Sequence, residues 1–208
     1  MRVRRCTSRA TGTTRWAIVK GMSDDDLVWR LGARVPGHDY RIFRTSFVDG
    51  EHARGMTKQF SVIEAVDWVN VIALTPANEV VLLRQYRVGV EKVCLEIPGG
   101  MVDPGEDAQS AAARELVEET GYTAPAWRKL GVAAPNPAIM NNYLHSFLAL
   151  GATKTHEPHL DGNEVVEVET VPLTRITELL RRGAVEHALV LAAFGHLAFL
   201  QGDLRAPA

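Results

Sequence analysis

Only two cysteines, Cys6 and Cys94, occur in the 208 residues, too few for a disulfide framework or a zinc site. No uninterrupted apolar run is long enough to cross a membrane, and the first twenty residues lack the apolar stretch of a secretory signal. Neither sign of charge is in excess. Lys and Arg number 23 against 25 Asp and Glu, a net of −2, so there is no electrostatic case for nucleic acid or an acidic membrane as partner. The local exception is the start, where Arg2, Arg4, Arg5, Arg9, Arg15 and Lys20 meet no acid; that pattern reads as a solvated, loosely ordered terminus. Together these absences make a soluble, cytoplasmic chain the expectation.

With 46% apolar residues the chain is large enough for one core plus a small appendage. From about Leu27 apolar residues alternate as in strands, through "LVWRLGARV", "YRIFRTSFV", "KQFSVIEAV", "WVNVIAL" and "VVLLRQYRV". "TPANE" between the last two carries the Pro and Asn of a hairpin turn. "LEIPGG" is predicted to end a short strand in a loop, because Pro98 stops pairing and Gly99 and Gly100 allow unusual dihedrals. Glu106 to Thr120 is predicted as a helix stopped by Gly121. Strands follow around "WRKLGVAA", "YLHSFLAL" and "EVVEVETVPL". "ITELLRRG" and "VLAAFGHLAFL" close the chain as helices, with His187 and His196 read as ordinary helix residues. This order predicts an α/β (α+β) chain: a mixed sheet with helices packed on it. The expected division is a basic segment 1–26, an N-terminal antiparallel strand region 27–66 and a main domain 67–208.

The predicted central helix crowds its own charge. At about 100° per residue, Glu115, Glu118 and Glu119 project within roughly one 100° sector. Like charges at spacings of three or four cost roughly 0.2–0.5 kcal/mol per pair, and the negative end of a helix is less hospitable still to carboxylates. Arg114, at spacing four from Glu118, is the local compensation. Two readings stand open here: a solvated acidic face, or ligands for a hard divalent cation such as Mg²⁺ or Mn²⁺, which prefers oxygen donors on a rigid frame.

The residues upstream favour the second. In "GGMVDPGEDAQSAAARELVEETGY" the fixed positions are Gly100, Glu106, Arg114, Glu115, Glu118, Glu119 and Gly121, at spacings that resemble the Nudix box of the Nudix hydrolase superfamily. Seven such residues at about one in fifteen each coincide by accident roughly once in 10⁸ starts. The flanks "VVLLRQYR", "LEIPGG" and Pro137 resemble the ADP-ribose pyrophosphatase branch, while "NPAIMNN" and "DWVNVIAL" look more like bacterial enzymes acting on several nucleoside diphosphate sugars.

The resemblance implies an α/β/α sandwich and metal-dependent hydrolysis of a nucleoside diphosphate sugar, giving a nucleoside monophosphate and a sugar phosphate. It implies Glu115 and Glu119 as ligands of Mg²⁺ or Mn²⁺, Glu118 as a further ligand or acid/base, and the Gly99 carbonyl as a backbone ligand. Arg114 and Glu106 would orient the helix and its loop. Arg87 would contact substrate phosphate, and Asn142 stands where relatives carry a substrate-binding glutamate. Glu164 would be the general base, with Glu167 as its neighbour. Relatives in this branch pair their N-terminal strands across a homodimer, where Phe43, Phe47 and Phe60 could face a base or simply pack. Two other readings are a non-catalytic nucleotide-sugar sensor and a housecleaning hydrolase of nucleoside triphosphates or dinucleoside polyphosphates.

Overall fold

In the computed structural model the described residues are 2–6, 15–19, 23–160 and 165–201. The chain divides into two compact units, residues 1–63 and 64–208. In the first, strands β1 (Arg2–Cys6) and β2 (Arg15–Val19) pair antiparallel, so the basic segment 1–26 contains backbone structure that its composition did not reveal. Strands β3 (Trp29–Asp39), β4 (Arg44–His52) and β5 (Thr57–Glu64) form a separate three-stranded sheet. Its alternation is visible in β4, where Ser46, Val48, Gly50 and His52 are buried and the residues between them exposed. The three phenylalanines are placed differently. Phe43 stacks on Tyr40 and Phe60 meets Trp29 edge-on, whereas Phe47 is exposed.

The second unit holds a seven-stranded mixed sheet. Its strands are β6 (Trp68–Leu74), β7 (Glu79–Arg87), β8 (Lys92–Glu96), β9 (Gly99–Met101), β11 (Ala126–Ala133), β12 (Leu144–Leu150) and β14 (Val166–Pro172). The order is β11-β12-β6-β7-β14, with β8 on β7 and β9 on β6; β12 and β6 are parallel and the other pairs antiparallel. β10 (Tyr122–Thr123) and β13 (Thr153–Lys154) make a small separate ladder. Val69 to Ala73 are buried without a break, as expected of a central strand covered on both faces.

Alternation along these strands feeds two cores. Val69, Val71, Val81, Phe147 and Ala149 meet Ala111, Ala112 and Leu116 of α1 (Ala108–Thr120). Ile72, Val80, Leu82 and Leu148 meet α2 (Leu173–Arg181) and α3 (Ala188–Gln201) on the other side. The result is the α/β/α sandwich that the resemblance implied.

Two predicted boundaries shift, each for a local reason. α1 begins at Ala108 rather than Glu106, because Asp107 is its N-cap, in extended conformation, with its carboxylate accepting from the N–H groups of Gln109 and Ser110. Gly99 and Gly100, expected in a loop, pair with Asn70 and Val69 as part of β9. A Cβ on Gly99 would overlap the Val69 carbonyl, so only glycine lets the backbone approach β6 this closely.

The end of α1 is held as firmly as its start. Gly121 has φ 74°, its N–H donates to the Val117 carbonyl, and its own carbonyl accepts from Thr155 and His156. A Cβ there would also meet the His156 carbonyl. Gly121→Ala combines left-handed strain with this overlap and is expected to destabilise the chain by about 2 kcal/mol or more. Urea unfolding checks the figure, and an unchanged midpoint would refute it.

Candidate active site

Arg114 occupies the centre of the acidic group. Its Nε and Nη2 donate to the two oxygens of Glu106 at 3.2 and 3.1 Å, and Nη2 also donates to the Met101 carbonyl at 2.9 Å. Nη1 donates to Glu115 and to Glu118, both at 2.9 Å. One planar guanidinium thus ties the loop before the helix, the end of β9 and the helix itself. Its hydrogen bonds to Glu106, then those to Glu115 and Glu118, raise its pKa further, so it stays charged at any accessible pH. In return, the Arg114 hydrogen bonds hold the Glu106 carboxyl below its ordinary value of 4.5.

Glu119 lies on the inner side of α1, 6% exposed, and its Oε2 accepts from the Gly99 N–H at 2.8 Å. Glu115 presses on the next residue: a Cβ at Gly100 would fall onto its carboxylate. Both acids, one helical turn apart, therefore close on the same two glycines. Glu118 turns outward, its side chain 43% exposed. The structure so brings together Gly99, Glu106, Arg114, Glu115, Glu118 and Glu119.

Other expected residues fare differently. Arg87 makes a two-pronged pair with the buried Glu96, at 2.8 and 2.7 Å, and lines a cavity of about 480 Å³ that also borders Gly99 and Gly100. That bond to Glu96 raises the pKa of Arg87. Nothing in the sequence singled out Glu96; an acid alternating into an apolar strand was its one signal. Asn142, expected at the substrate, is 2% exposed, and its Nδ2 donates to the Val66 carbonyl at 3.0 Å, holding the chain that enters β6. Glu167 pairs with Arg84 at 2.7 Å on the exposed sheet surface. Glu164 lies outside the described residues. The chain leading to it is anchored, for the His159 N–H donates to the Glu118 carbonyl at 2.8 Å.

The acidic group fits a hard cation by its chemistry. Its side-chain donors are all oxygens, and four carboxylates against one guanidinium leave an excess of three negative charges. Among the described residues no three acidic, histidine or cysteine side chains already converge as a ligand set. Glu115 and Glu118 are directed at Arg114 instead, which is the compensation that the crowded helix required.

Fold and site together define an α/β/α sandwich whose working edge is an acidic helix pressed onto a double-glycine strand. The NUDIX domain model matches residues 65–194, and the chain belongs to the Nudix family. It is 30% identical over 158 residues to the "Methanol dehydrogenase activator" of Bacillus methanolicus, spanning 76% of this chain and 85% of that protein. It is 31% identical over 150 residues to an "ADP-ribose pyrophosphatase" of Bacillus subtilis (strain 168), spanning 72% and 81%. A solved structure titled "Crystal structure of ADP compounds hydrolase" shares the fold with a TM-score of 0.73 at 23% identity, covering 86% of this chain and 97% of that one. Nudix hydrolases generally use divalent metal ions. No helix among the described residues is long and apolar enough to cross a membrane.

The Glu106–Arg114 contact has a pH signature. A carboxyl whose pKa is depressed by folding adds stability above the unfolded value, and that stability is lost as pH falls through the folded value. The gap in Tm between wild type and Glu106→Gln should stay constant from pH 6 to 8 and narrow as pH falls below the ordinary glutamate value of 4.5. Thermal melts across that range check it; a gap that widened in acid would refute the pairing.

Proposed function

We propose that the chain hydrolyses the pyrophosphate bond of nucleoside diphosphate sugars such as ADP-ribose, releasing a nucleoside monophosphate and a sugar phosphate. One observation carries the reading: a complete Nudix box folded so that Glu115 and Glu119 close on Gly99 and Gly100 beside a cavity bordered by Arg87. The names of relatives, an ADP-ribose pyrophosphatase in Bacillus subtilis and an "ADP-sugar pyrophosphatase" in Mus musculus, support the substrate class.

In this reading Glu115, Glu119 and the Gly99 carbonyl hold Mg²⁺ or Mn²⁺, with Glu118 as a further ligand or proton carrier. The ion, when bound, supplies charge neutralisation at the diphosphate oxygens. Arg114 and Glu106 keep the helix and its preceding loop in register. Arg87, preset by Glu96, presents a fixed cation to phosphate. Glu164 takes a proton from the attacking water. Its place in the chain supports that role: it follows His159, bonded to the Glu118 carbonyl, by five residues, a reach of at most about 18 Å.

Release of AMP from ADP-ribose, with Mg²⁺ or Mn²⁺ and with chelator, is the test. Glu119→Gln should lower turnover at least about 100-fold. Glu164→Gln should lower it by about 10²-fold while metal affinity stays near wild type. Unchanged turnover in the first variant would remove the metal-ligand reading; in the second it would pass the base to Glu118.

The chain is further proposed to act in the cytoplasm as a homodimer built on its N-terminal strands. Exposed Val35 and Phe47, paired across β3 and β4, support this, as apolar surface that a second copy would cover. Light scattering should give twice the 22.8 kDa chain mass, reduced towards one mass by Val35→Glu with Phe47→Glu. A monomeric wild type would exclude the dimer.

A further inference from the structure

The cavity beside Gly99 and Gly100 has a wall that the box helix does not supply. Asn70 of β6 is 5% exposed, and its Nδ2 donates to the carbonyl of Leu189, in the first turn of α3, at 2.9 Å. A carbonyl only accepts, so this bond fixes which way the amide is turned and leaves Oδ1 as its other pole. That Oδ1 is buried without a hydrogen-bond partner among the described residues. So is Nδ1 of His187, the residue immediately before α3. Both side chains line the same cavity. Asn142 Oδ1, His145 Nδ1 and Ser146 Oγ are likewise buried without a partner among the described residues, but of these five side chains only Asn70 and His187 border the cavity, where a ligand group can complete them.

The chemistry around them narrows the ligand. Asn70 Oδ1 accepts and therefore calls for a donor. Two ion pairs border the same space, Arg87 with Glu96 and Lys92 with Glu186. Donors and acceptors thus stand side by side, which suits a polyol, since each hydroxyl both gives and receives. A nucleobase would instead set its flat faces against aromatic rings, and Trp68 is the one Phe, Tyr or Trp in the lining among the described residues.

We propose that this cavity takes the sugar half of the substrate, with Asn70 and His187 bonding its hydroxyls and so determining which sugar is accepted. The proposal rests on reading the chain as a nucleoside diphosphate sugar hydrolase. In it the box helix works on the diphosphate, while β6 and the start of α3 select what lies beyond.

The test uses the two halves of ADP-ribose as separate probes, so no turnover is needed. Affinities for ribose 5-phosphate and for AMP are measured by calorimetry on the full chain, wild type, Asn70→Leu and His187→Phe, each first checked for an unchanged thermal melt. Loss of one buried hydrogen bond should weaken ribose 5-phosphate binding by about 5-fold or more in each variant, with AMP affinity unchanged. Should one variant fail to fold, the other still decides. If AMP weakens and ribose 5-phosphate does not, the cavity is the base site and the proposal is overturned; if neither moves, both residues are merely structural and it is overturned as well. Selective loss in a chain that cleaves no nucleotide sugar would keep the sugar pocket and discard the proposed activity. Full hydrolysis with no selective loss would do the reverse.

Discussion

A single guanidinium stands between three carboxylates and the backbone they would otherwise drive apart. Arg114 reaches Glu106 before the helix, Glu115 and Glu118 on it, and the Met101 carbonyl at the end of β9. Removing that charge would leave like charges one turn apart near the negative end of a helix, where each costs more than elsewhere. With it in place, the cluster keeps an excess of negative charge at one edge of the sheet, which is the condition for attracting a hard cation and, through it, a diphosphate.

The helix is rigidly delivered to that edge. Asp107 caps its start and Gly121 its end, while Leu116, fully buried, fixes its rotation against the sheet. Rotation is what matters, because it points Glu119 inward at the Gly99 N–H and leaves Glu118 half exposed. The two glycines complete the fit from the other side. They pair as a strand with β6, and the bare Gly100 leaves room for the Glu115 carboxylate, which a Cβ there would push aside. Charge, cap and close approach form one interlocked arrangement.

On the opposite face, the same β6 offers Asn70 to the start of α3, so in the proposed scheme the two sides of one strand serve two tasks. This is the period of two in a strand put to use: Val69 and Val71 support the helix carrying the acids, and Asn70 between them faces the cavity. In the proposed scheme the box helix works on the diphosphate while Asn70 and His187 select the sugar, with Arg87 bordering the same cavity.

Most of the sandwich and most of the acidic group were legible in the sequence, since both depend on short spacings. Strand alternation, the hairpin at Asn78, the glycine stop and the three glutamates on one helical sector are local, and local geometry follows from local sequence. The predicted helix start at Glu106 was a near miss of the same kind: Asp107 caps the helix through two backbone hydrogen bonds, so it begins at Ala108. What only the tertiary structure decided was which distant groups meet. Glu96 on Arg87, Glu119 on Gly99, Asn142 turned inward to Val66 and Asn70 opposite Leu189 join residues separated by 9 to 119 positions. Pairings at those separations are set by sheet order and helix rotation, which no single stretch of chain encodes.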